Sequence, residues 1–239
     1  MQPRNRAIRF AIGALLLGCA TPAVPQEGVD WGGLMAGIAH GTAMDEAAQE
    51  SVSENRRAPE ARAPASTLHL TYKPSLDRRR ANFARFIAKA HARDPQGATS
   101  LKKELGASDP IARAEPEFAQ YGLRVDNVAD VYAIWWLNAW LAVNQRTDTP
   151  PTRQITAVRS QAARTLAAIP EIANADDAAK QEMAETNLIQ SLLIGAALEH
   201  AKNDSAQLRR ISAAMRRGAH ASGLDLGAMN LTDKGFVPR

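Results

Sequence analysis

The stretch from Val128 to Val143 is apolar on almost every side: Val128, Val131, Tyr132, Ile134, Trp135, Trp136, Leu137, Trp140, Leu141 and Val143 leave no polar stripe. A helix patterned in this way has no face to give to water, so other elements must enclose it. Asn127, with Asp130 three residues later, supplies its start, a capping box with Asp in the place of the usual Glu. Only 5% of the chain is aromatic, and three of its four tryptophans lie in this one segment, which therefore carries much of the bulky core. The chain must fold as a shell of helices around a Trp-rich centre.

The flanking segments fit such a shell. Leu68-His69-Leu70-Thr71-Tyr72 alternates briefly as an extended arm and Pro74 ends it. Ser75 then caps a helix whose stripe is Leu76, Phe83, Phe86, Ile87 and Ala90. Asp94-Pro95 and Gly97 close it. Short helices are predicted from about Ala98 to Leu105 and from Asp109 to Gln120, the second kinked or broken at Pro116. After the central helix, Thr149-Pro150 opens another, striped by Ile155, Val158, Ala162, Leu166 and Ile169 and stopped by Pro170. Asn174 opens a long helix to about Lys202. Asp204 with Gln207 starts the last one, which carries Leu208, Ile211, Met215 and Ala219 and closes at Gly223. The end, Leu224 to Arg239, reads as a turn or two and then an extended segment holding Phe236. The expected fold class is all-α: one bundle-like domain of five to seven helices over residues 67–239.

The N-terminus reads as an export signal. Arg4, Arg6 and Arg9 precede an apolar run, Phe10 to Leu17, that is too short to span a bilayer. Cleavage after Ala20 makes residues 1–20 a signal peptide, and Thr21-Pro22-Ala23 offers a second site. Leu16-Leu17-Gly18-Cys19 alternatively resembles a bacterial lipobox, with residues 1–18 removed and Cys19, the only cysteine, lipidated. One cysteine leaves no internal disulfide framework. Three arginines and no acids precede Cys19, so the net charge of +4 falls to +1 on processing, which removes most of the case for a nucleic-acid partner. Gly28 to Gly41, with Trp31, reads as a flexible stalk. Thr42 to Ser66 holds little large to bury and reads as a linker with a fraying helix from Met44 to Arg57, making residues 21–66 a linker in all.

Four strings are distinctive: Tyr121-Gly122-Leu123-Arg124-Val125-Asp126-Asn127 leading into Trp135-Trp136-Leu137-Asn138-Ala139-Trp140; Pro74-Ser75-Leu76 with Arg78-Arg79-Arg80-Ala81-Asn82; Lys180-Gln181-Glu182-Met183-Ala184-Glu185; and Gly223-Leu224-Asp225-Leu226 ending near Gly235-Phe236. Together, over Thr67 to Val237, they resemble a family of exported proteobacterial proteins catalogued only as a domain of unknown function. The resemblance implies export and a stand-alone helical domain. It brings no catalytic residue, ligand or partner.

Sequence patterns for chemistry are sparse. None of His40, His69, His91, His200 and His220 has the helical partner of a zinc site, and no nucleophile elbow, phosphate loop or dinucleotide fingerprint occurs. No catalytic residue, metal site or cofactor is predicted. Glu182 and Glu185, and the basic runs Arg78 to Arg80, Arg209-Arg210 and Arg216-Arg217, read as solvated faces. The candidate ligand-binding residues are Tyr132, Trp136, Asn138 and Trp140, where an apolar cavity between helices could hold a small molecule; core packing explains the same rings. Asn138 needs a hydrogen-bond partner if buried.

These readings predict an exported envelope protein, periplasmic or anchored to the outer membrane through Cys19, that acts as a non-enzymatic interaction or structural module. The expected partner is an envelope protein or an apolar small molecule, with no nucleic acid, and with membrane contact only through Cys19. The alternatives are a binding protein with a Trp-lined pocket and an enzyme whose site assembles only in three dimensions.

Overall fold

The computed structural model describes residues 42–57, 68–92 and 94–239. The export signal, Cys19 and Trp31 lie outside them. Nine α-helices and one small hairpin occur among the described residues, so the all-α expectation holds with more helices than predicted.

The central helix is α5 (Val128–Val143), with α1 (Thr42–Arg57), α2 (Leu76–His91), α3 (Pro95–Ala107) and α4 (Pro110–Ala119) before it. After it come α6 (Thr152–Ala167), the single turn α7 (Pro170–Ala173), α8 (Asp177–Ala201), α9 (Ser205–Ala221), and the strands β1 (Met229–Thr232) and β2 (Gly235–Pro238). Every residue of α5 is buried. It packs mainly on α8, α6 and α9, while α2 lies on α8 and α3. No helix of the described residues is long and apolar enough to cross a membrane.

Side-chain caps fix most helix starts. Asn127 Oδ1 accepts from the N–H groups of Ala129 (3.0 Å) and Asp130 (3.1 Å), placing the first turn of α5. Ser75, Asp94, Asp109, Asp176 and Asp204 cap α2, α3, α4, α8 and α9 in the same way. The prolines behave less simply. Pro116 lies inside α4, which runs on to Ala119. Pro150 does not open α6, which begins at Thr152 behind Pro151. Pro170 does more than stop α6: it opens α7, a position where its missing N–H costs nothing.

Two expected tails are part of the fold. The segment 42–57, expected within a linker, forms α1 and buries Met44, Asp45, Ala48, Val52 and Asn55. These residues fall three or four apart on one stripe, which suffices because α1 lies on α6 and β2 and has only a narrow face to cover. The arm at Leu68–Leu70 is a 3-10 turn. Thr71 then pairs with Asn127, and the Tyr72 N–H donates to Asp126 O at 3.1 Å. The C-terminal segment is a true antiparallel hairpin, Leu231 opposite Phe236 and Thr232 opposite Gly235.

Candidate functional site

Tyr132, Trp136, Asn138 and Trp140 project from α5 into the packed interior. Successive turns of the helix and the incoming hairpin build their surroundings. Phe236 of β2 lies with its ring centre 4.7 Å from Trp136 and 5.8 Å from Trp140. Tyr132 stacks at a tilt on Trp135 and Trp136, at 5.4 and 5.9 Å. The Trp140 indole N–H donates to Met229 O at 3.0 Å, and the Tyr132 hydroxyl donates to Asp45 Oδ1 at 2.7 Å. Asn138 Nδ2 donates to Ile134 O one turn back in its own helix, at 2.9 Å, so the bond it needs joins no second helix. A ligand among these rings would have to displace Phe236.

The second cluster overturns part of the sequence reading. Glu185 and Arg79, expected on solvated faces, meet at the α2–α8 interface. The Glu185 side chain is fully buried and Arg79 is 11% exposed. Glu185 accepts from Arg79 Nε (2.8 Å), Asn82 Nδ2 (2.5 Å) and Gln181 Nε2 (2.8 Å). Arg79 Nη1 also reaches Asp109 Oδ2 at 2.5 Å, which ties the cap of α4 to the same point. Gln181 closes the ring, accepting from the Ser75 N–H and Arg78 Nε and donating to Ser75 O. Burial works against the charge on Arg79, but the Glu185 and Asp109 carboxylates more than offset it and hold its pKa above the ordinary value. Glu182 and Arg80 do lie at the surface, paired with Arg85 and Asp77.

Asp130 is a third fully buried acid. Its carboxylate accepts from Arg159 Nε at 2.7 Å and from the Arg124 N–H at 3.0 Å, fixing the entry into α5. Asp45, on the buried face of α1, differs because it faces hydroxyls instead of a cation. Burial pushes its pKa up to about 6, against the hydrogen bonding of Ser222 and Tyr132. Tyr132 is itself raised well above the phenol range, first by burial and then by the charge of Asp45.

An open concavity lies between α1 and α6, a cleft of about 320 Å³ lined by Glu50, Ser51, Glu54, Asn55, Gln161 and Arg164 among others. Its size is at the lower end for a small-molecule site. Its floor is committed to the hairpin: Gln161 accepts from the Phe236 N–H (2.8 Å), and Gln161 and Asn55 both donate to Phe236 O (3.2 Å each). The Ser51 hydroxyl donates to Ala48 O at 2.8 Å and accepts from Gln161 Nε2 at 3.0 Å, so no base holds it as a nucleophile would be held. The cleft can offer hydrogen bonds and a guanidinium to a small polar group. Sequence spacing gave no hint of it, because α1 and α6 are far apart in the chain.

His69, His91, His200 and His220 are exposed, and no group of three or more metal-ligating side chains occurs among the described residues. No curated protein and no solved structure matches the chain. One family model does, over residues 8–239, which takes in the apolar N-terminal run, Cys19 and all the described elements. On that match, the chain belongs to a family of unknown function, DUF6683.

Proposed function

We propose that this protein is an exported cell-envelope module that works by contact and not by catalysis. One observation carries the reading: each of the five buried Asp, Glu and Lys side chains among the described residues is hydrogen-bonded within the protein itself. Glu185 has three donors, Asp130 two, Asp45 the Tyr132 hydroxyl and Asp94 the Gly97 N–H, while Lys180 donates to Ala173 O. A catalytic acid or base must reach a substrate proton, whereas these groups are buried: Glu185, Asp130, Asp45 and Lys180 join one element to another, and Asp94 caps α3. Export rests on Arg4, Arg6 and Arg9 ahead of the Phe10 to Leu17 run.

The test is denatured mass spectrometry of the chain recovered from the periplasm and outer membrane of a Gram-negative host, expressed with its own N-terminus. A mass corresponding to cleavage after Ala20 or Ala23 supports a released periplasmic protein. A mass for acylated Cys19 supports an anchored one. An unprocessed chain in the cytoplasm overturns the proposal.

A further inference from the structure

The outer face of α9 carries four exposed arginines, with acids only at its two ends. Ile211, Ser212, Ala214, Met215 and Ala219 point inward, while Arg209, Arg210, Arg216 and Arg217 are exposed. At 1.5 Å of rise per residue, the two arginine doublets stand about 10 Å apart along one side of the helix. Exposed Ala206 and Ala213 between them keep the face low and open to a flat partner. α9 contains no acid. The acid at its start still feels the arginines: Asp204, its carboxyl held below the ordinary value first by the Gln207 N–H, is lowered further by the charge of Arg210 and Arg209. Asp204 caps α9 at one end, and at the other Asp225 caps the 3-10 turn Leu226–Ala228, where Arg216 passes over Gly227. The exposed acids Glu46, Glu50 and Glu54 belong to α1, which packs chiefly on α6 and β2.

From this arrangement we infer that the α9 face docks on an anionic phospholipid surface, through arginine–phosphate contacts. The occupant follows from charge complementarity and residue type. All four cations are arginines, whose planar forks match phosphate oxygens better than lysine ammonium groups. The N-terminal turns of α1 pack beside the C-terminal end of α9. A side chain at Gly223 would meet Glu46 Cγ at 3.2 Å, and the Asp225 N–H donates to Gln49 Oε1 at 2.9 Å. The inference rests on the reading of an exported envelope protein.

The experiment is flotation of the full chain, as processed by its host, with vesicles of phosphatidylcholine alone or with about 30% phosphatidylglycerol. Any contribution of the N-terminal segment to apolar binding is common to both, so the excess on the anionic vesicles isolates the arginines. Surface-adsorbed basic residues contribute roughly fivefold each, so an excess of at least tenfold is expected, falling as salt is raised. The R209Q/R210Q/R216Q/R217Q variant abolishes the excess while keeping the helical circular dichroism. If that variant does not fold, R209Q/R210Q and R216Q/R217Q each lose part of it. Equal partition to both vesicles overturns the inference, as does an excess that survives the substitutions. Tighter binding to a short DNA duplex assigns the face to nucleic acid, and an arginine-dependent dimer without vesicles assigns it to a second copy; either overturns the lipid assignment. A chain that is exported but indifferent to anionic vesicles refutes this inference alone, and one that never leaves the cytoplasm refutes the reading beneath it.

Discussion

Replacing Asp45 by Asn should make the protein more stable at neutral pH and leave it little changed in acid. Asp45 lies on the inner face of α1 with no exposed surface, and burial raises its pKa from 3.8 to about 6. The native carboxyl holds its proton more tightly than the unfolded one. Its stabilising contribution is therefore complete below the unfolded pKa of 3.8 and is lost as pH rises through about 6. The full loss is about 3 kcal/mol, of which about 2 kcal/mol falls between pH of about 4.5 and about 7.5. Asn keeps the shape and an oxygen for the Tyr132 hydroxyl but carries no charge to desolvate. Urea unfolding of both proteins, followed by tryptophan fluorescence at the two pH values, isolates the effect as a difference of differences. D45N should gain about 2 kcal/mol on wild type between the acid and the neutral measurement. A difference that does not change with pH, or that favours wild type at neutral pH, would refute the argument that Asp45 is a desolvated acid with a raised pKa.

Arg79→Ala strands Glu185 in the α2–α8 interface and should cost about 3–5 kcal/mol, while R79M/E185M, which removes both charges, should recover most of the loss in the same unfolding assay. Phe236→Ala should cost about 3–5 kcal/mol and alter the near-ultraviolet circular dichroism, since its ring covers Trp136 and Trp140. Gly235→Ala should destabilise by more than about 1 kcal/mol, because φ is +97° and a Cβ would lie 2.5 Å from Gln161 Oε1. Gly106→Ala, in α3 with nothing within 4 Å of a new Cβ, should instead raise stability by about 0.4–1 kcal/mol, measured as a shift in Tm.

What could be read in the sequence was what neighbours in the chain determine. The capped apolar helix at Asn127 was visible because its cap and its pattern lie within one turn of each other. The stripes of α2, α8 and α9 were visible for the same reason. The helix from Met44 to Arg57 was expected to fray in a linker; its packing into the fold was missed because its buried face is only Met44, Ala48 and Val52 with two polar residues. Glu185 was assigned to solvent because its partners Arg79 and Asn82 stand more than a hundred residues earlier, and no local rule pairs them. Pro170 misled because a proline that ends one helix can also begin the next. The cleft between α1 and α6 had no local signal, since neither helix carries a motif and their meeting depends on the hairpin between them.

That meeting has a kinetic consequence. Asn55 on α1 holds Lys234 O and Phe236 O across about 180 residues of chain. Contacts of such separation repay the entropy of closing their loop only after the intervening helices have already assembled. The clasp between the first described helix and the hairpin is then the last part to form and the first to let go. Weakening it with Asn55→Ala should quicken unfolding while leaving the refolding rate nearly untouched. Amides of α1 and the hairpin should exchange with solvent together, ahead of those in α5 and α8. The two ends of the described fold open as one gate, and the Trp-rich helix behind it stays closed.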